Sequence, residues 1–399
     1  MLFGFDTYAE HQADGDTDAT RLVRLDPTSL REQLFSSLRL GDSTTGHVFS
    51  PDRRSLAFGA VNVRQVIVAD LVDYRVAARI TVAHAPAPDS GWPAEVFVVA
   101  WPRADRLVAY TQPFAAHTSA PARLVVVDPG ARHVIRTAPL GGSVVATASL
   151  DDGRTVFVVA PTGRVGPARV VVVDPDGGAR SIRLPEISAG FGNGSDEAPG
   201  FAVVGTVAYV LGSSNRIAQV DLDTGRVRDH AVPGLLAERL TDGPPLEPGS
   251  GGIMSNDERH VTSLGNGLLS VGGYDTRPAR RGTENQSYVR SEQIVDTKSW
   301  VVRRTLRRVT DLVAANGLYY CWVGSGLFDS LTFVALRPDG TVAFRRTTPE
   351  AGWEISAGRL FETRGDAGDV ELDPLTGRVV RRVSTPPTGS IDLVPWSRP

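Results

Sequence analysis

Lysine is almost missing from this 399-residue chain: Lys298 is the only one, and the other 41 of its 42 basic residues are arginine. Schiff-base or lysine general-base chemistry would have to use Lys298, which falls in the short turn Asp296-Thr-Lys-Ser299. Cys321 is the only cysteine, which excludes an intrachain disulfide and a cysteine-based metal cluster. No apolar run reaches the roughly 18–20 residues of a membrane-spanning helix, so no transmembrane segment is expected. The N-terminus, Met1-Leu-Phe-Gly-Phe-Asp6, lacks the basic region and apolar core of a signal peptide. A cytoplasmic protein is expected, with an exported domain that has lost its leader as the alternative. Charge of one sign is also lacking. The net charge is −3 and the pI about 6.2, which argues against the basic stripe of a nucleic-acid binder. Helical periodicity is nearly absent; its best instance, Leu30, Leu34, Phe35 and Leu38, also fits a strand after the turn at Asp26-Pro27.

What is present is a succession of short β-branched runs punctuated by Gly, Pro, Asp and Asn, the pattern of an all-β fold. Residues 143–185 show the unit most clearly: four strand-like runs joined by turns, including Asp151-Asp152-Gly153-Arg154 and Asp174-Pro175-Asp-Gly-Gly178. Two markers of this unit recur. A tight turn before an apolar run appears seven times, as in Pro51-Asp52-Arg53-Arg54, Gly265-Asn266-Gly267 and Ala315-Asn316-Gly317. An apolar run ending in Asp, often followed by Pro, appears seven times, from Leu25-Asp26-Pro27 to Leu372-Asp373-Pro374; Leu336-Arg337-Pro338 is a degenerate eighth copy. Asp caps the turn backbone and Pro presets φ. A first strand is missing at the N-terminus and a lone extra strand, 389–396, stands at the other end. The expected fold is therefore a single β-propeller domain over 1–399 with eight four-stranded blades, seven being the alternative. Strands from both termini close the ring, 389–396 completing the N-terminal blade.

Phe49-Ser50-Pro51-Asp52 and the turns Asp221-Leu-Asp-Thr-Gly-Arg226 and Asp373-Pro-Leu-Thr-Gly-Arg378 resemble bacterial WD40-like, YVTN and PQQ-type repeat propellers. The Trp-Asp dipeptide of eukaryotic WD40 repeats and a repeated tryptophan docking motif are both absent. The resemblance implies a fold, not an activity.

In a four-stranded blade the first-to-second and third-to-fourth turns share one face of the disc, here uniformly tight. The other face collects the long segments 8–20, 83–94, 110–122, 186–200, 233–260 and 272–291, so any specific function is expected there. That face gathers His11, His47, His84, His117 and His260, each scattered rather than in a metal-binding spacing. Trp92 and Phe114 can form an aromatic wall or simply pack the loops down. Arg277, Arg280 and Arg281, with Arg290, can hold a carboxylate or phosphate bidentately; pairing with Asp275 and Glu284 across the rim is the favoured reading. Asp14, Asp16 and Asp18 alternate like the start of a calcium loop. Ala19 replaces the sixth-position glycine, however, and Leu25 the distal glutamate, so a solvated acidic loop and no cofactor are expected, with calcium on Asp14, Asp16 and Asp18 as the alternative. Cys321 is expected to pack between blades.

The composition favours a non-catalytic binding or scaffold propeller that recognises a protein or small-molecule ligand through its long-loop face. The alternative is an enzyme of lyase, hydrolase or cyclase type. Its pocket would lie at the propeller axis and use His and carboxylates from several blades.

Overall fold

The computed structural model describes residues 2–12, 15–26, 28–29, 31–42, 44–60, 64–82, 94–113, 121–192, 195–237, 255–278, 285–307, 309–323, 332–347, 352–356, 358–363, 370–383 and 392–395. All regular structure among them is β-strand. Five four-stranded antiparallel blades are built from consecutive strands, spanning 44–81, 94–139, 200–230, 309–346 and 352–382. A further sheet joins the two ends of the chain: Leu2–Gln12 lies between Gly15–Leu25 and Asp392–Pro395, with Leu2 opposite Pro395 and Phe5 opposite Asp392. The remaining nine strands form one continuous sheet. The arrangement is a propeller, but the expected eight separate four-stranded blades, and the alternative seven, do not hold.

Two of the expected blades are fused into one sheet. Ala179–Gly192 was expected to stop at Pro185. Instead it runs on past a bulge, where its pairing shifts from Leu184 opposite Ala168 to Ser188 opposite Pro167. A bulge is where a strand can hold a proline without losing a ladder bond. The extension pairs with Ser195–Ala198, which pairs in parallel with Ser255–Gly265. Two regular runs of strands, 143–192 and 255–306, are thereby fused.

The turns behave as their chemistry dictates. The aspartate that ends a third strand folds back to accept main-chain N–H groups of the next turn. Asp70 accepts from Val72 and Asp73, Asp221 from Asp223 and Thr224, and Asp373 from Leu375 and Thr376, all at 2.8–3.0 Å. The arginine excess also acquires a structural use. Arg136 Nη1 donates to Gly177 O (2.8 Å), Arg304 Nη1 to Asp339 O (2.6 Å) and Arg346 Nη1 to Gly377 O (3.1 Å). Each reaches from the fourth strand of one blade to the third-to-fourth turn of the next. Arg154 makes a similar reach, to Leu222 O (3.1 Å) and the Asp223 carboxylate (2.8 Å). A long planar donor that stays charged suits this stitching better than an ammonium.

The core is apolar between blades. Leu56, Phe58, Ile67 and Leu107 are fully buried on one side, Val156, Val170, Val172 and Val220 on another. Cys321 is 1% exposed and packs with Val309, Leu312 and Tyr319 between neighbouring sheets.

Candidate functional site

On the long-loop face the structure replaces two expected loops by β-ribbons. Leu2–Gln12 and Gly15–Leu25 pair as far as Gln12 opposite Gly15. Leu268–Pro278 and Asn285–Asp296 pair as far as Pro278 opposite Asn285. The second ribbon, with Ser255–Gly265 on its flank, carries two ionic clusters, one on each face of its middle strand.

On one face His260 Nε2 meets Glu292 Oε1, while Ser270 Oγ donates to Glu292 Oε2 at 2.6 Å. His260 and Glu292 stand on the outer two strands and bridge over Gly272 between them. A Cβ on Gly272 would lie 2.5 Å from Glu292 Oε1 and 2.6 Å from His260 Nε2, so only glycine leaves room for the pair. The register between the middle and third strands shifts at this point, placing a bulge beside the pair. Glu292 is wholly buried, whereas the His260 side chain remains 27% exposed. The serine hydroxyl serves the glutamate, not the histidine. The set therefore orients an imidazole and does not activate a serine nucleophile.

On the opposite face Asp275, 0% exposed, receives Arg259 Nη1 at 2.7 Å on one oxygen and Arg290 Nε at 2.7 Å on the other. Arg259 also donates to Glu258 O and Tyr274 O (3.0 and 3.1 Å) and through Nε to Asn215 Oδ1 (3.2 Å); Arg290 Nη1 donates to Leu236 O (2.5 Å). Beside them Gln293 accepts from Leu236 N (2.8 Å) and donates to Gly234 O (3.1 Å). Burial alone would raise the Asp275 carboxyl, but the two guanidinium groups outweigh it and hold it below its usual range. The cluster fastens the ribbon's base to the neighbouring 200–230 blade and to the segment that follows it.

The remaining sequence candidates are dispersed. His47 is half-buried, with its ring edge-on to Phe49 at 6.4 Å. His11 stands opposite Asp16 on the first ribbon, and Asp18 opposite Ala9. Arg277 stands opposite Gln286 on the second. His84, Trp92, His117, Arg280, Arg281 and Asp14 lie outside the described residues. Among the described residues no three His, Cys, Asp or Glu side chains are grouped so as to hold a metal ion.

Two buried carboxylates lie outside the candidates that the sequence offers. Glu292 sits inside a strand, where no turn or motif marks it. The available signal was Glu292-Gln293 in a third strand whose counterpart in the 143–185 unit is an unbroken valine run. Glu95, 4% exposed on the first strand of the 94–139 blade, lies opposite Gln112, whose amide is committed to both main-chain groups of Val144. Burial alone raises the Glu95 carboxyl pKa. On the tight-turn face, a cleft of about 430 Å³ lies where three neighbouring first strands end, lined by Phe49, Trp101, Leu150 and Asp151 among others.

No family model matches the chain, and no curated protein matches it in sequence. Solved structures do match it in fold. A dihydro-heme d1 dehydrogenase NirN, solved with DHE, matches with a TM-score of 0.60 at 12% identity, over 99% of this chain and 74% of that one. A europium-containing methanol dehydrogenase matches with a TM-score of 0.55 at 10% identity, over 90% and 80%. The propeller of Dos1 matches with a TM-score of 0.51 at 11% identity, over 87% and 85%. At these identities the likeness is one of fold, and it supports the resemblance to PQQ-type propellers at that level.

Proposed function

We propose that this propeller is a non-catalytic recognition module that binds a protein or small-molecule ligand on its long-loop face. The observation that carries the reading is the braced ribbon 268–296. It extends beyond the blade, and its base is fixed by the buried Arg259–Asp275–Arg290 cluster. A projecting strand pair held in one geometry lowers the entropy lost on binding. The two carboxylates best placed for acid–base work, Asp275 and Glu292, have both oxygens engaged by Arg, His or Ser donors.

The test is site-specific photocrosslinking in extract of the native host. A photoreactive residue at position 276 or 286 should give a discrete adduct, and one at the rim position Val380, on the outer strand Val379–Arg382, should not. Equal labelling from ribbon and rim overturns the reading.

One observation favours the enzymatic alternative: His260 keeps about a quarter of its side chain in solvent and is anchored by a buried carboxylate, the arrangement of an oriented general base. The two dehydrogenases that share the fold do so at 10–12% identity and lend that alternative nothing further. His260→Asn separates the two readings, because it should abolish any turnover yet leave the crosslinking pattern intact.

A further inference from the structure

We propose that the groove between the outer strand Val301–Leu306 and the adjoining 309–346 blade is a docking site for an extended acidic peptide segment of a partner protein. One wall of the groove, Val301–Leu306, pairs with the ribbon strand Asn285–Asp296, Leu306 standing opposite Glu292. The groove has a volume of about 440 Å³. Its floor is apolar, formed by Val334, Leu336 and Val342, the last of them 38% exposed. Its rim carries Arg304, Arg307 and Arg345, with no carboxylate among the described lining residues. Arg304 donates to a main-chain carbonyl, that of Asp339, whose carboxylate also feels its charge. The Asp339 carboxylate is turned back onto Thr341, at 2.7 and 2.8 Å. Arg307 and Arg345 are exposed and have no bonded partner among the described residues.

The next junction round the ring shows how unusual this charge is. Strands Val301–Leu306 and Val342–Arg346 occupy equivalent places, since their partners set Ile294 opposite Arg304 and Ala335 opposite Phe344. By that register Leu306 corresponds to Arg346. Counted from the turns that pair Ala315 with Leu318 and Ser356 with Arg359, Cys321 corresponds to Glu362. At the second junction Arg346 Nε donates to the buried Glu362 carboxylate at 2.6 Å. At the first, an apolar Leu306 and Cys321 replace that pair, and among the described residues three arginines border the groove.

A ligand that satisfies this surface needs carboxylates for the arginines and small apolar side chains for the floor, in alternation. An extended strand provides both, because successive side chains point to opposite sides. Val301–Leu306 is also the last strand of the nine-stranded sheet, so its outer edge offers unpaired main-chain groups along one wall.

The experiment is fluorescence anisotropy on the full-length protein. The probe is a short labelled peptide of alternating Glu and Val, compared with a Lys–Val peptide and a single-stranded oligonucleotide. The Glu–Val peptide should bind saturably and weaken with salt, and the Lys–Val peptide should not bind. Arg307→Glu with Arg345→Glu should weaken binding at least about tenfold with an unchanged melting temperature. Val342→Trp, which blocks the floor without altering charge, should weaken it as well. Absence of saturable binding, equal binding by the double variant, or tighter binding of the oligonucleotide through its phosphates overturns the proposal.

Discussion

Two neighbouring junctions of this propeller solve the same packing problem in opposite ways. Between Val342–Arg346 and the 352–382 blade the space is filled. Phe333 and Trp353 stack at 4.3 Å, Trp322 meets Trp353 edge-on at 6.1 Å, and Arg346 lies over the Trp353 ring while bonded to Glu362. Between Val301–Leu306 and the 309–346 blade the equivalent positions are Leu306 and Cys321, and the space stays open. Phe344, which packs over Gly377 at the filled junction, is matched by Arg304 over Gly340 at the open one. The backbone register is the same. What differs is a handful of side chains, and these decide whether an interblade space is core or surface.

The largest expected effect comes from breaking the filled junction. Arg346→Met leaves Glu362 buried without its cation and should cost about 3 kcal/mol of unfolding free energy, read from urea denaturation. A loss below about 1 kcal/mol would mean that the aromatic stack alone holds the junction. The converse is to graft the pair into the open junction. Cys321→Glu alone should cost nearly as much, and adding Leu306→Arg should recover about 1–3 kcal/mol, measured as a double-mutant coupling. Zero coupling would show that the two junctions are not equivalent.

A smaller difference should appear with pH. Burial alone would raise the Glu371 carboxyl of the 352–382 blade, but hydrogen bonds from Arg359 and Arg381 outweigh it and hold it low. A depressed folded pKa contributes stability above the unfolded value of about 4.3, lost as pH falls through the folded value. At the open junction, burial and then the Glu292 charge push the Cys321 thiol up to about 12. Its contribution is complete below the unfolded value of about 8.5 and is lost as pH rises toward the folded one. Urea midpoints should therefore fall in acid for the wild type and less so for Glu371→Gln. In alkali they should fall for the wild type and less so for Cys321→Ala. Superimposable profiles would remove the distinction. The smallest effect is expected at Arg303, whose ion pair with Asp296 is 57% exposed on the arginine side; Arg303→Ala should cost under about 1 kcal/mol.

The sequence carried the local architecture well, because turns are made by neighbouring residues. Asp221 and Asp373 cap the turns they begin, and Gly153, Gly267 and Gly317 take the positive φ their turns require. It did not carry the blade count. The fusion of two blades depends on Ser195–Ala198 pairing with Ser255–Glu258, sixty residues away, and no local pattern encodes a parallel partner. The ribbons were misjudged as loops because Asp14, Gly15 and Asp16, or Arg277 and Pro278, read as turn formers wherever they stand. Of the site, His260 was visible as a histidine on the long-loop face. Glu292 and Gly272 were not, because only pairing across three strands brings them together. The open junction was equally hidden: Leu306 and Cys321 are ordinary strand residues until compared with Arg346 and Glu362.

The strand Asp392–Pro395 has a consequence for how the protein is made. The residues that meet there, Leu2 and Pro395, leave the ribosome roughly 20–80 s apart at ordinary rates of synthesis. Throughout that interval Leu2–Gln12 can pair with Gly15–Leu25 on one side only, and its other edge stays open to any strand that encounters it. The emergence of Asp392–Pro395 thus ends a period of exposure that began with Leu2–Gln12, and single blades can assemble before the ring is able to close.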